Sequence, residues 1–381
     1  MVEWKKLVSV SDVLYGYPFE SSLFSENSSN IPLIRIRDVK PAKASTYYSG
    51  DIIENYIIKR GDILVGMDGE FNIGKWDDRD GLLNQRVLKL SGKDGLCLDG
   101  YLFHYMGPVF KRIEKETPGG SVKHLSAKAI NNIVIPVPSM SQQMSIVEFL
   151  DTFTSSIENL KEQIALRRKQ YEYYRDQLLD LEGKEGVEMK TIGELFVFKN
   201  GLNKEKKYFG QGSPIVNYTD VYHNNRLTRD VLLGRVTLTE SEIERFEVKR
   251  GDVFFTRTSE TPEEIGFAAV MLDDVDNCTF SGFLLRARPL TKLLSPEYCA
   301  YCFASYKVRQ AIIKYSTFTT RALTNGTSLS KILIPVPSIS EQQRIANILY
   351  TFEESIQNLE AQLAGREKQY EYYRNKLLTF E

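Results

Sequence analysis

Two stretches of this chain carry the same hydrophobic pattern, and that pattern limits what the chain can fold into. In the first, Ile146, Leu150, Phe153, Ile157, Leu160, Ile164, Arg167, Tyr171, Tyr174, Leu178 and Leu181 step alternately by four and three. In the second, Ile345, Leu349, Phe352, Ile356, Leu359, Leu363, Arg366, Tyr370, Tyr373, Leu377 and Phe380 do the same. Apolar residues at that spacing share one stripe of a helix, and a stripe sustained over several heptads is the seam of a coiled coil. Each runs for about five heptads, roughly 54 Å at 1.5 Å per residue, which is longer than the face of a small domain. An amphipathic helix lying on a globular core fits that length poorly. One arginine interrupts each seam at the same place.

The helices belong to a larger internal repeat. Ile135-Pro136-Val137-Pro138-Ser139 returns as Ile334-Pro335-Val336-Pro337-Ser338, and the hexapeptide QYEYYR stands at 170 to 175 and again at 369 to 374. Upstream the match weakens but persists. Lys59-Arg60-Gly61-Asp62 corresponds to Lys249-Arg250-Gly251-Asp252, Asp38-Val39 to Asp220-Val221, and Val2-Glu3 to Val187-Glu188, with a drifting offset that implies insertions in loops. Each repeat is therefore a variable domain followed by a uniform helical tail. The boundaries fall at 1–140, 141–183, 187–339 and 340–381.

The Pro-Val-Pro run cannot extend a sheet or helix far, so it marks the exit from domain to helix, with Ser141 and Ser340 as expected N-caps. After the first helix, Gly183-Lys184-Glu185-Gly186 ends the periodicity and hands over to the second domain. A helix that leaves each domain in the same geometry runs away from the first and back from the second. The two helices are then antiparallel and related by a pseudo-two-fold. The variable domains read as short strands between turns: 33–39, 56–58, 63–67, 85–90 and 133–136, with counterparts at 215–221, 253–256 and 283–288. Helical spacing is confined to 101–115 and 296–315. The fold class is α+β, two β-rich domains in tandem repeat with two long helices as an antiparallel coiled coil.

Catalytic chemistry is hard to assemble from this sequence. No Asn/Asp-Pro-Pro-aromatic loop is present to hold an exocyclic amine for methylation, and Glu247-Val248-Lys249 lacks the upstream Pro-Asp of a metal-dependent nuclease. Phe209-Gly210-Gln211-Gly212 has the wrong spacing for a nucleotide loop and reads as a turn. Cys299 and Cys302 form a lone pair without a second pair or a nearby histidine, so they read as buried thiols rather than a metal site. His104, His124 and His223 are isolated. No active site and no metal site is expected. Four cysteines in 381 residues do not make a disulfide framework, no window approaches eighteen apolar residues, and the start MVEWKKLVSV lacks a secretory core. A cytoplasmic protein without membrane contact is expected.

Recognition remains. The net charge of −1 hides a division: the helical segments carry −3 and −2, the variable domains +1 and +3. A mildly basic domain permits a DNA-binding face. Base edges are read by Arg, Lys, Asn, Gln, Ser and Thr, and such residues cluster beside glycines at matching places in both repeats. In the first domain these are Asn72, Lys75 and Trp76 together with Ser121, Lys123 and His124; in the second, Arg257, Thr258 and Ser259 with Thr319, Thr320 and Arg321. Any one of them alone reads as a solvated loop residue. Glu172, Tyr173 and Arg175, with their repeats Glu371, Tyr372 and Arg374, lie off the heptad seam, so seam packing does not explain their repetition. Contact with a partner protein does, and recent duplication is the competing explanation.

In its doubled order of domain, Pro-Val-Pro, Gln142-Gln143 or Glu341-Gln342-Gln343 and long helix, the whole chain resembles the specificity subunits of Type I restriction-modification enzymes. Gly16-Tyr17-Pro18-Phe19, Asn84-Gln85-Arg86-Val87 and the two Lys-Arg-Gly-Asp turns add to the resemblance. It implies a non-catalytic subunit with two target-recognition domains, each reading one half of a split site in double-stranded DNA. It implies as partners two adenine-methylating modification subunits and restriction subunits, with S-adenosylmethionine, ATP and magnesium held on those partners and no cofactor in this chain. An interaction scaffold that binds protein instead of DNA, and a self-sufficient methyltransferase, are the rival classes.

If the helices set the unread gap, adding one heptad to each lengthens the rod by about 10 Å and moves the half-sites apart by at most about three base pairs. Methylome mapping of the lengthened protein is expected to return the same half-sites at a wider spacing. Activity on the original spacing alone would show that the helices do not set the gap.

Overall fold

The computed structural model describes residues 2–117 and 123–380. The chain divides into two compact units, Met1–Lys161 with Ala361–Glu381, and Glu162–Glu360. Each long helix, Met140–Leu179 and Ile339–Leu377, is thus shared between the units, and each unit holds a length of both. The helices begin one residue before the expected caps, so the capping residues lie two residues earlier than expected. Ser139 and Ser338 are the residues that cap them, their hydroxyls accepting from the N–H groups of Gln142 (3.4 Å) and Glu341 (3.3 Å), because the backbone is already helical by Met140 and Ile339.

In the first unit, strands Ser11–Tyr15, Val87–Gly92, Ile63–Gly66 and Ile73–Lys75 form an antiparallel sheet in that order. In the second, Phe196–Asn200, Leu284–Pro289, Val253–Thr256 and Ala268–Met271 repeat it, with Arg226–Leu227 added at the far edge. The repeated Lys-Arg-Gly-Asp turns pin these sheets. Gly61 and Gly251 turn with φ of +94° and +89°, and the following aspartate accepts from the Lys59 or Lys249 N–H (2.8 Å each). Asp62 then meets Lys89 (2.8 Å), and Asp252 meets Arg288 through two bonds (2.8 and 2.7 Å), so each turn is tied to the neighbouring strand.

Four elements differ from the sequence reading. The strands expected at 33–39 and 215–221 stop at Ile34 and Val216 and pass into short helices, Ile36–Val39 and Tyr218–His223. Asp38 and Asp220 cause the change by reaching back to the Arg35 and Asn217 N–H groups (2.9 and 2.8 Å), the capping box of a helix start. The stretch 209–212 is not a turn but the start of strand Phe209–Val216, irregular in register because Gly210 and Gly212 have φ of +108° and +99°. The helix expected over 296–315 is two, Pro296–Cys302 and Tyr306–Tyr315. All four cysteines are buried free thiols.

Within each unit the two helix segments run antiparallel. In the first, Phe149 and Phe153 meet Tyr373 (5.3 and 5.5 Å between centroids), while Lys161 pairs with Glu367. In the second, Tyr174 stacks on Phe352 (5.5 Å) and Arg168 pairs with Glu360. The seam arginines find their place here: Arg366 lies over the Phe153 ring (5.6 Å) and Arg167 over the Phe352 ring (5.8 Å). A guanidinium on an aromatic face keeps both its charge and the packing of the seam.

Polar contacts fasten each segment to its sheet domain. In the first unit the buried His104 donates through Nε2 to Asp151 (2.8 Å) and accepts at Nδ1 from the Tyr370 hydroxyl (2.9 Å). Burial lowers its pKa, only partly offset by Asp151, which keeps the ring neutral in this role. In the second unit Glu353 takes that place, accepting from Tyr171 (2.9 Å) and Tyr301 (3.1 Å) and pairing with Arg226 (3.0 Å). At the junctions the fully buried Gln143 donates to the Leu96 and Pro138 carbonyls (3.1 and 3.0 Å) and accepts from the Leu98 N–H (2.9 Å). Gln342 does the same with Leu293, Pro337 and Ser295.

Gln143→Ala leaves one buried N–H and two carbonyls without their partner, and is expected to lower the stability of the first unit by about 1–3 kcal/mol in urea unfolding. Gln143→Glu, which cannot donate to either carbonyl, is expected to do no better, whereas recovery in that variant would mean that shape alone holds the junction.

Candidate nucleic-acid interface

Each sheet carries a platform built from the ends of its strands. In the first unit a tight turn at Asn84-Gln85-Arg86-Val87 links strand Gly81–Leu83 to Val87–Gly92, closed by the Val87 N–H on the Asn84 carbonyl (3.3 Å). Gly16 lies flat against it. A Cβ there would fall 2.0 Å from the Asn84 carbonyl oxygen, so only glycine admits the approach. Beside the turn, Asp68 at the end of the adjacent strand bridges to His124, and the Leu125 N–H bonds the Met67 carbonyl (2.7 Å). Residues far apart in sequence therefore share one surface.

The second unit repeats this frame with other side chains. A Cβ on Gly201 would meet the Ser281 carbonyl oxygen at 2.0 Å, and Ser281-Gly282-Phe283-Leu284 is the corresponding turn. Strand Thr258–Ser259 pairs with Ala322–Leu323, which pairs in turn with Thr317–Phe318, so the hairpin tip Thr319-Thr320-Arg321 stands exposed beyond Ser259, with Arg321 3.7 Å from Glu260. The Thr324 N–H on the Arg257 carbonyl (3.0 Å) matches the Leu125 bond of the first unit.

The platforms are open and basic. In the first unit a cleft of about 810 Å³ is edged by Arg35, Arg37, Lys40, Asn72, Gln85 and Arg86, with Phe19 and Phe24 in its wall. Arg35 lies over the Phe24 ring (5.8 Å), Arg37 donates to Ser45 and Thr46 (2.8 and 2.6 Å), and Lys40 is exposed at the rim. In the second unit a groove of about 890 Å³ follows the edge strand Phe196–Asn200, with Lys199, Asn200 and Arg257 along it. Burial is the main cause that depresses the pKa of Lys199, and the charges of Arg286, Arg245 and Arg288 lower it further, a cluster of cations that would attract an anion.

The structure sorts the sequence candidates. Asn72, Lys123 and His124 stand together on the first platform, where Asn72 donates to Glu70 (3.0 Å) and Lys123 to the Glu114 carbonyl (2.5 Å). Ser121 lies outside the described residues. Trp76 is corrected: it is a core residue, 1% exposed, with its indole N–H on the Arg79 carbonyl (3.0 Å), because it faces inward between Ile58 and Leu64. Lys75 is corrected as well, since its ammonium lies over the Phe103 ring (4.8 Å) and 3.5 Å from Asp151, toward the helix. Ser259 is buried, its hydroxyl accepting from the Thr261 N–H (3.2 Å), so it braces the loop rather than facing a ligand. Arg257 lines the second groove, its guanidinium donating to the Gly282 carbonyl (3.0 Å), while Thr319, Thr320 and Arg321 form the exposed tip of the hairpin whose neighbouring strand is Thr258–Ser259. Arg35, Arg37, Lys40, Gln85, Arg86 and Phe283 were not among the recognition residues read from the sequence, and Gln85 and Arg86 entered there only as part of the Asn84-Gln85-Arg86-Val87 motif. The alternation Arg35-Ile36-Arg37, and the polar Gln85-Arg86 between strand segments, were the available signals.

Comparison with known proteins bears on what these platforms do. The family model described as the Type I restriction modification DNA specificity domain matches twice, at residues 1–167 and 184–365. The chain belongs to that family. Its function is DNA sequence specificity, carried by two tandem target-recognition domains. It is 26% identical to the Type I restriction enzyme EcoBI specificity subunit of Escherichia coli, over 92% of this chain and 79% of that protein. Its fold matches the crystal structure of a Type I restriction-modification S subunit from M. genitalium with a TM-score of 0.62, at 15% identity over 100% of this chain and 97% of that one. A chain from a structure of Type I R-M complex assembly and conformational transition gives 0.56, at 15% identity over 99% and 96%. No helix among the described residues is long and apolar enough to cross a membrane.

On the helices of this specificity subunit, the off-seam residues divide. Glu172, Tyr173, Glu371 and Tyr372 are exposed, the two tyrosines by 62% and 60%. Arg175 and Arg374 instead fold along their own helices over the Tyr171 and Tyr370 rings (5.9 and 5.4 Å).

Lys40 is exposed at the cleft rim without a base-reading fork, and Lys40→Ala is expected to weaken binding to every duplex alike and to reduce the slope of log affinity against log salt by about one. Binding measured by fluorescence anisotropy across a salt series checks this, and an unchanged slope would place Lys40 away from phosphate.

Proposed function

We propose that this chain is the non-catalytic reading subunit of a Type I restriction-modification enzyme, each unit recognising one half of a split duplex site. The observation that carries the reading is one backbone frame built twice, pinned by Gly16 and Gly201 and by the two Lys-Arg-Gly-Asp turns, with different side chains at the corresponding tips. A frame that stays constant while its tips change is what reading two unlike half-sites requires. Basic residues along both clefts supply phosphate contacts, and Asn, Gln, Arg and Thr at the tips supply base-edge contacts.

Chemistry belongs to partners in this reading. Two modification subunits carrying S-adenosylmethionine methylate adenine after extruding it from the duplex, and restriction subunits use ATP and magnesium to translocate and cut. The exposed pairs Glu172 with Tyr173 and Glu371 with Tyr372 provide two equivalent docking positions, one for each modification subunit. The setting is the cytoplasm, where the host chromosome is the substrate.

Replacing residues 187–333 with the matching segment of a related specificity subunit is expected to change one half-site in the methylome and leave the other intact, since each frame closes on its own Pro-Val-Pro exit. The rigorously purified chain, incubated alone with DNA and S-adenosylmethionine, is expected to transfer no methyl groups. A change in both half-sites, or methylation by the chain alone, would overturn the proposal.

A further inference from the structure

We infer that Arg86 is a specificity-determining residue of the first unit, reading a guanine through its guanidinium fork, an assignment that rests on the reading of the platforms as DNA interfaces. Three observations lead to it. Gln85 and Arg86 are exposed at the tip of a turn whose flanking residues, Asn84 and Val87, are buried. Arg86 also holds φ of +71°, in the left-handed region that a side chain with a Cβ disfavours. The backbone is fixed there by the Met67 N–H on the Arg86 carbonyl (2.9 Å) and by the flat approach of Gly16 to Asn84. Glycine would suit that conformation better, and an arginine kept in it points to a use for the side chain.

The side chain is held ready for that use. Asp68 lies 3.5 Å from the Arg86 Nε and accepts from His124 (2.5 Å), while Nη1 of Arg86 lies 3.4 Å from the His124 ring. The carboxylate steadies one edge of the guanidinium, and the side chain remains 54% exposed. Among the described residues nothing bonds to Nη2. With Nε facing Asp68, the outer edge formed by Nη1 and Nη2 is a planar fork that matches the paired acceptors O6 and N7 of guanine in the major groove. A phosphate would require charge without this orientation.

The other repeat supports the position. The Arg257 N–H bonds the Phe283 carbonyl (3.2 Å) as Met67 bonds Arg86, and the parallel bridges Tyr17 to Asn84 and Leu202 to Ser281 place the two turns in one register. Phe283 thus occupies the slot of Arg86, and it is 67% exposed. An exposed residue in the same slot of both units, polar in one and aromatic in the other, is what a position that distinguishes two half-sites looks like.

The test uses the full chain assembled with its modification subunits, the site found by methylome mapping, and duplexes carrying each base change at each recognised position. Arg86→Gly removes the fork and relieves the backbone; Arg86→Lys keeps the charge and loses the fork. Wild type is expected to discriminate at one G·C pair of a single half-site by about 5- to 150-fold, the range of one bidentate contact, and both variants to lose that discrimination. Preference at the other positions should persist, and the thermal midpoint of Arg86→Gly should not fall. Discrimination retained in Arg86→Gly would overturn the inference, as would affinity restored by Arg86→Lys or a loss uniform over all sequences. A wild-type complex with no sequence preference at all would overturn the underlying reading of the platforms, and the inference with it.

Discussion

The structure depends on how a charged residue is accommodated in an apolar seam. A coiled coil tolerates arginine at a core position only if the guanidinium finds a partner that spares it the cost of burial. Here each helix provides that partner to the other, Phe352 for Arg167 and Phe153 for Arg366. Because the arginine and the phenylalanine stand at the same places in both repeats, the exchange is satisfied twice by one antiparallel register. Sliding one helix by a heptad would take both guanidiniums off their rings. The pair of contacts therefore selects register as well as adding stability, a role that single polar core residues play in other coiled coils.

From the seam outward, each domain is secured to its helix segments by buried polar groups that bond one another. Gln143 and Gln342 repeat one arrangement of three bonds at the junction, but the next contacts differ: a neutral histidine with Asp151 and Tyr370 in one unit, a glutamate with two tyrosines and Arg226 in the other. The repeat has kept the demand for a hydrogen-bonded network while changing the residues that meet it. Networks of this kind fix orientation because a partial match costs more than none.

Much of this was legible in the sequence, because periodicity and repetition report backbone-scale regularities. The seam, the antiparallel sense, the doubled domain and the Pro-Val-Pro exits follow from spacing alone. What spacing could not report is which way a side chain faces in a short strand beside a turn. Trp76 and Lys75 sit in a glycine-rich stretch that looks like a recognition loop, yet one faces the core and the other the helix. Ser259 follows Arg257 and Thr258 in a polar run, but alternation along a strand turns it inward. The short helices after Ile34 and Val216 were missed because an aspartate three residues into an apolar stretch outweighs its β-branched neighbours. Arg86 was visible only as part of a family-like motif, since a positive φ has no signature in a residue other than glycine.

Division of labour between frame and tip explains why such a protein can vary its target without losing its fold. The residues that cannot change are those answering to backbone geometry: glycines where two chains touch, aspartates that close turns, glutamines that satisfy a junction. None of them points at the clefts. The residues at the tips, Gln85 and Arg86 on the first cleft and Phe283, Thr319 and Arg321 on the turns of the second unit, are exposed and contribute little to the core. Substitution at such positions costs the fold little, whereas a change of base contact costs binding about 1–3 kcal/mol. Target sequence and stability are consequently under nearly independent control, and two copies of one frame can come to read two different half-sites.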